Sequence, residues 1–509
     1  MILPVVPDRA LTELGRTEGG PETLGLLVRD QHTRRLLLLR AVLDAVAAAD
    51  PTMCSAAARD RLGEDWALLE EADRMEPPVR PAAWADESGA APEAAYGGSP
   101  APTPPAGTGV GPPLSPVRAL VLHPFVGPWA RHCLRGLRTE PGPRTEREAR
   151  ELGRDLAHFG ALAAVAAVRA GVSFAVRLTA RDGVLTLPSL GALHTAAPGD
   201  APVDVVHRRQ SLTLRQRGAK DVVVHLQSGG IGAWSEAAAW TPAHALPGLL
   251  PGSGPVPLDD LDPYRTARGG PRHHELSGPV TLDDAERKRW LQSWSGVASV
   301  LGLGGEHRLT EAVALLRCLV PLSAPPGSTP GGRTTGSCSG TRREAFGAVL
   351  SSTPATATTF AATLVHELQH TKLAALSDML TLHHAGSGAR YFAPWRPDPR
   401  PYDGLLQGAY SHLALADFFQ RSALATTHPA RRDAAWAQHA RYREQVGAVL
   451  PSLVGSGDLT TQGRRFVDQM VAVYERLADH PAPRGQAARA QAYVRASRAL
   501  WTQRHAPGE

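Results

Sequence analysis

The spacing of apolar residues changes several times along this chain, and each change marks a different kind of element. Residues 22–75 read as helices, and Leu36-Leu-Leu-Leu-Arg-Ala-Val-Leu-Asp-Ala-Val carries a broad apolar face. From Glu76 to Pro116 the periodicity vanishes into Pro, Gly and Ala, with Pro-Ala-Pro-Thr-Pro-Pro near the centre. Such a stretch cannot bury a core and reads as a linker or surface excursion. Pro143 to Gly171 is helical again, opening on charged residues and turning alanine-rich. Period two takes over from Val172 to Gln227. Phe174-Ala-Val-Arg-Leu-Thr-Ala, then Arg-Asp-Gly, then Val184-Leu-Thr-Leu predicts a hairpin, and Ser211–Arg215 and Val222–Leu226 predict further strands.

Leu282 to Leu301 predicts one helix, with Asp283 and Asp284 near its start. Thr310 to Leu322 is apolar enough for either a helix or a buried strand, and Pro325 to Gly340 reads as a loop. Phe360 to His384 contains neither Gly nor Pro and predicts a long helix, with His383 and His384 at its end. A proline-rich loop, a second apolar helix around Gly404–Phe419 and alanine-rich helices complete the chain. The expected class is α+β, predominantly helical, with a central metal-binding helix and a smaller antiparallel β region before it. The expected organisation is an N-terminal helical region over 1–75, the linker or excursion over 76–116, a mixed helix and β region over 117–345, and a helical metal-binding region over 346–509.

Composition narrows the class further. A hydrophobic share of 43% across 509 residues is that of a soluble globular protein. The net charge of +5 is carried almost wholly by scattered arginines, the only lysines being Lys220, Lys288 and Lys372. This is no nucleic-acid patch. Cys54, Cys133, Cys318 and Cys338 lie far apart, which argues against a disulfide framework or thiolate zinc site. No secretory signal and no membrane-spanning run is evident, so a cytoplasmic setting with no membrane partner is expected. Oligomeric state is not legible.

The chemistry concentrates in His366-Glu367-Leu368-Gln369-His370. On a helix the two histidines project from one face a turn apart and can grip one metal ion, while Glu367 lies about 100° round and can act on a metal-bound ligand. A third ligand is required. The peptidase pattern with Gly at 373 and His at 376 is absent, since both are Leu, and the first glutamate after Glu367 is Glu444. His412, on the second apolar helix, is the better candidate, with Asp417 and Asp403 as alternative carboxylates. Between the helices runs Tyr391-Phe-Ala-Pro-Trp-Arg-Pro-Asp-Pro-Arg-Pro, whose four prolines hold it extended. It would present Trp395, Arg396 and Arg400, and two guanidiniums near a metal suit a carboxylate ligand.

These segments resemble the actinobacterial His-Glu-x-x-His proteins of ribosomally made peptide pathways, the 2-oxoglutarate-dependent peptide β-hydroxylases. The likeness is strongest in His366-Glu-Leu-Gln-His-Thr-Lys-Leu, Tyr391–Pro401 and Leu405-Leu-Gln-Gly-Ala-Tyr-Ser-His-Leu-Ala, with weaker echoes at Leu36, Leu156 and Leu187. The resemblance implies an iron(II) oxygenase using 2-oxoglutarate and O2 to hydroxylate a Cβ of a precursor peptide. It implies His366, His370 and His412 as metal ligands, Arg396 and Arg400 as the cosubstrate anchor, Glu367 in a catalytic role, and Gln369, Tyr391, Trp395 and Tyr410 around the pocket. A three-histidine set departs from the usual triad with one carboxylate. The alternative expectation is a zinc peptidase, for example one removing a leader, with Glu367 as general base. A third is a peptide-binding scaffold with a structural metal. His273-His274-Glu275 and Gly336-Ser-Cys-Ser-Gly carry no supporting context and are expected to be loops.

Overall fold

The computed structural model describes residues 5–51, 53–75, 115–138, 145–226, 230–266, 277–324, 338–388 and 391–505. The proline-rich stretch over 76–116 lies almost wholly outside these residues, as do His273-His274-Glu275 and most of the loop expected over 325–340. Six helices come first: α1 (Asp8–Gly15), α2 (Pro21–Ala48), α3 (Ala56–Arg74), α4 (Pro116–Val121), α5 (Val126–Leu137) and α6 (Glu146–Arg169). Then follow β1 (Phe174–Ala180), β2 (Val184–Leu187), β3 (Gly191–His194), β4 (Ala201–Arg208), β5 (Ser211–Arg215), β6 (Val222–Leu226), β7 (Ala233–Trp234), β8 (Trp240–Pro242), β9 (His244–Leu246) and β10 (Val256–Leu258). Helices α7 (Asp284–Trp294), α8 (Val297–Leu303) and α9 (Glu306–Leu315) lead to β11 (Cys318–Leu322), β12 (Ser339–Thr341) and β13 (Ala348–Ser352). The chain ends in α10 (Ala357–Met379), α11 (Tyr402–Ala425), α12 (Pro429–Val454), α13 (Thr461–Arg476) and α14 (Arg484–His505). Helix predominates in an α+β fold, and no described helix is long and apolar enough to cross a membrane.

The β structure is larger and less uniform than periodicity predicts. The order β1-β4-β5-β6-β7 makes one antiparallel sheet and β2-β3-β8 another. The turn between β1 and β2 forms as expected, with Asp182 and Gly183 both at positive φ. The hairpin is limited to its closing Arg181–Val184 pair, because β1 zips along its whole length onto β4 while β2 pairs with β3. A third sheet, β12-β13-β11-β10-β9, is mixed: β11 runs parallel to both β10 and β13. The apolar run to Leu322 is thus both things, helix α9 and then the central strand β11. The helix expected over Leu282–Leu301 is broken into α7 and α8 around Ser295 and Gly296.

Alternation along this mixed sheet divides the interior. Leu319 and Val349 face a core shared with the C-terminal helices, whereas Cys318, Val320, Leu322, Ala348 and Leu350 face a core shared with α6 and the antiparallel strands. Helix α2 contributes to both, Leu24 and Leu27 to the first, Leu39, Val42 and Val46 to the second. All four cysteines are free and buried within this arrangement.

Helix α10 follows β13 directly and packs against α2, α8, α9, α11 and the edge strand β12. Its buried side includes charge. Lys372 Nζ lies 2.6 Å from Glu311 Oε1, and Arg308 lies 3.1 Å from Glu311 and 3.6 Å from Asp417 of α11. Lys372 also donates to the backbone carbonyl of Thr17, and Gln369 donates to Glu311. Burial pushes Lys372 down to about 8, against the pull of Glu311, while Lys372 and Arg308 more than offset the burial of Glu311 and hold it below its ordinary value. The network joins α9, α10 and α11. Glu311→Ala would leave buried Lys372 without its carboxylate and Arg308 with Asp417 alone, and is expected to cost about 3–5 kcal/mol in urea denaturation. A loss under about 1 kcal/mol would mean the network carries little.

Candidate metal centre

Thr356 caps α10, its hydroxyl accepting from the Thr359 N–H. Ten residues into the helix, His366 and His370 stand a turn apart with their Nε2 atoms 3.1 Å from one another and ring centres 4.7 Å apart. Two nitrogens bonded to one ion at ~2.1 Å are about 3.0–3.4 Å apart, so this pair already has a ligand's spacing. Helix α10 ends at Met379, five residues sooner than the uninterrupted sequence predicts, and Leu380 turns extended. His383 therefore lies beyond the helix, bridged to Leu459 and 3.6 Å from Asp403.

The neighbouring helix α11 brings the third imidazole. His412 is buried, and its ring centre is 5.5 Å from that of His366. Rings ligating one ion through ~2.1 Å bonds have centres about 4.5–5.5 Å apart. Trp395 and Tyr442 contact the His412 ring at 4.6 and 5.1 Å, which fixes its position. Burial, reinforced by the facing His370, lowers His412 to about 3; burial and the neighbouring imidazoles push His366 well below its ordinary value. Both rings are therefore neutral at physiological pH, the form that ligates metal.

Among the described residues, no three His, Cys, Asp or Glu side chains are drawn tightly enough to make a finished metal-holding set. The preformed part is the His366–His370 pair, with His412 alongside. Two buried heteroatoms here lack a hydrogen-bond partner, Nδ1 of His412 and Oε2 of Glu367. Orphaned polar atoms are costly in a protein interior. A divalent transition-metal ion fits this donor set, because imidazole nitrogens are donors that such ions accept.

The remaining expected residues divide. Glu367 is buried, accepts a 2.7 Å hydrogen bond from Ser339 of β12, and comes within 4.0 Å of His366 Nε2. Burial raises its pKa, against the opposing pull of His370 and the Ser339 and Thr341 hydroxyls. Trp395 meets the site directly. Arg396 and Arg400 both reach Asp398, at 3.0 and 3.5 Å, and a bridge from Tyr391 to Arg400 closes the loop. This loop lies along one face of α11: Arg400 fits against Gly404, Trp395 against Gly408, and His412 is next in the same i, i+4, i+8 row. A Cβ on Gly408 would stand 2.4 Å from the Trp395 ring. The glycine is what lets the indole reach His412.

Gln369 and Tyr410 are not pocket residues. Gln369 faces the ion network on the far side of α10, and Tyr410 donates to the Leu14 carbonyl and packs on Phe466. Each sits on its helix at an angle that turns it away from the imidazoles. The alternative carboxylates are also occupied elsewhere, Asp417 by Arg308, Arg421 and Arg476, and Asp403 by His383. A cavity of about 420 Å³ between α6 and β1–β3 is lined by Arg154, Arg181 and Asp182, but these ions pair among themselves and with Glu151, Asp155 and Asp200. It shares no residue with the imidazole cluster.

One partner was not foreseen. Gln407 Oε1 lies 3.0 Å from His370 Nδ1. A carboxamide oxygen only accepts, so it holds the proton on Nδ1 and leaves the Nε2 lone pair facing His366. The signal was present in the sequence, since Gln407 sits five residues before His412 on a helix already expected to meet the motif. No protein-family model matches the chain, and no curated protein matches it at a significant level. Gln407→Met is expected to weaken cobalt(II) binding about 10–100-fold, whereas Gln407→Glu, which still accepts, should bind at least as tightly as the parent. Competition titration with a chromophoric chelator measures both, and equal affinities for the Met variant and the parent would remove Gln407 from the site.

Proposed function

We propose that the protein is an iron(II)- and 2-oxoglutarate-dependent oxygenase that hydroxylates a Cβ position of a ribosomally made peptide, as its resemblance to the peptide β-hydroxylases implies. The observation that carries the reading is the gathering of three imidazoles from two helices, with an arginine-bearing loop seated on the third. His366, His370 and His412 would hold the ion. Three protein nitrogens leave coordination positions for small ligands. Bound iron would supply the oxidising chemistry: 2-oxoglutarate goes to succinate and CO2, one atom of O2 enters the succinate, and the other enters a peptide C–H bond.

The chain's own residues then have distinct tasks. Gln407 keeps His370 in the ligating tautomer. Trp395 shields His412 from one side and excludes water there. Arg396 and Arg400 both pair with Asp398, and guanidiniums so placed would suit the distal carboxylate of a dicarboxylic acid. Ser339 steadies Glu367 through one oxygen, leaving the other to orient a ligand or substrate.

One observation favours a second reading. A buried glutamate with a raised pKa and an unpartnered oxygen beside the histidine pair is also the arrangement of a zinc peptidase's general base. The two separate in one assay. Protein loaded anaerobically with iron(II) is exposed to O2, 2-oxoglutarate and peptide, then scored for succinate and peptide mass. Gain of one oxygen atom, lost in His412→Ala and retained in Glu367→Gln, is the expected result. Peptide fragments that require zinc and vanish in Glu367→Gln would replace the oxygenase with the peptidase.

A further inference from the structure

Strand β12 is the edge of the mixed sheet, pairing with β13 on one side and with no described strand on the other. Its register fixes which main-chain groups face outward. Ser352 N–H donates to Cys338 O across the ladder, so the bonded pairs are Cys338 with Ser352 and, two residues on, Gly340 with Leu350. Ser339 and Thr341, opposite Ser351 and Val349, therefore turn their N–H and C=O groups away from β13. Among the described residues none of these four groups has a hydrogen-bond partner. The strand is short, three residues, but carries neither proline nor charge.

The edge does not lie at a neutral place. The side chains of Ser339 and Thr341 both serve Glu367, the first at 2.7 Å. The open main-chain groups of the same two residues thus run beside the imidazole cluster, where His366 keeps 25% of its side chain exposed. Two donors and two acceptors, alternating at strand spacing, are complementary to another polypeptide main chain and to little else.

We infer that the free edge of β12 is the substrate-docking element: a peptide binds extended, adding a strand that pairs with Ser339 and Thr341 and crosses the imidazole cluster. This rests on the reading of that cluster as a metal centre acting on peptides. Side chains directly opposite one another in a sheet share a face. Peptide residues opposite Ser339 and Thr341 therefore aim their Cβ atoms toward α10 and the imidazoles, while the residue opposite Gly340 aims away. The reacting position is then restricted to every second residue, and adjacent residues are not both modified from one bound register. The main chain supplies the grip and tolerates varied sequence, while side-chain selectivity falls to neighbouring groups.

The test uses full-length protein loaded with cobalt(II) and a positional-scanning mixture of acetylated, amidated hexapeptides, with retained peptides identified by mass spectrometry. The best-retained peptide is resynthesised with each amide N-methylated in turn. The expected pattern has period two: methylation at two positions, two residues apart, lowers affinity about tenfold or more, and methylation between them changes it less than about twofold. Thr341→Pro removes one outward N–H and the Thr341 hydroxyl, while Thr341→Ala removes only the hydroxyl; the proline variant lowers affinity for the same peptide about tenfold relative to the alanine variant. Uniform sensitivity to methylation, equal binding by Thr341→Pro and Thr341→Ala, or retention of no hexapeptide overturns the inference. Failure of the parent protein to take up cobalt would instead defeat the metal-centre reading, because peptide retention is scored in the same way on metal-free protein.

Discussion

Everything at the imidazole cluster depends on holding two helices at one relative height and rotation. His366 and His370 come from α10 and His412 from α11, so a slip of a single helical turn, about 5.4 Å, would scatter the ligands. Hydrophobic burial is non-directional and by itself specifies such a register less sharply than polar pairs of fixed geometry do. The structure instead runs ionic contacts through the interior, with Glu311 and Arg308 of α9 reaching Lys372 on α10 and Asp417 on α11. These pairs must meet at particular distances or leave bare charge in a dry core. On the opposite side Gln407 reaches back to His370, a second cross-tie between the same two helices.

Small residues complete the positioning. Gly404 and Gly408 open a channel along α11, and the proline-stiffened loop lies in it with Trp395 reaching His412. The loop's stiffness and the helix's missing side chains are two halves of one fit. Neither glycine is needed for backbone conformation, since both are in regular helix. Their role is room, and in a helix that omission is costly enough to be informative.

Much of this was legible before any coordinates. Helical periodicity located α2, α6, α10 and α11, and the His-Glu-x-x-His spacing placed two imidazoles on one face. His412 could be singled out because a lone histidine in Gly404–Phe419 had no local partner to explain it. Other parts were illegible for physical reasons. Parallel pairing of β10, β11 and β13 is a long-range choice that no local pattern encodes. Strand β12 reads as loop because Ser339-Gly340-Thr341 has no apolar alternation; as an edge beside a polar site it buries little. Gln369 and Tyr410, which the resemblance puts around the pocket, face elsewhere, because a helix turns residues one or two places away onto its other side. The early end of α10 reflects tertiary pairing, as His383 and His384 bond to the segment around Asp458 and Leu459 instead of extending the helix.

The central sheet has a consequence for how the molecule comes apart. Successive residues of β11 and β13 dip into opposite interiors, so each interior is roofed by the backs of side chains whose neighbours roof the other. Water reaching one side of that partition would strip support from the strands themselves, and with them the hydrogen-bonded edge formed by β12. The region carrying the histidines is therefore not a module bolted onto an independent β-rich half. Damage deep among the antiparallel strands can be felt at the imidazoles through a wall only one strand thick.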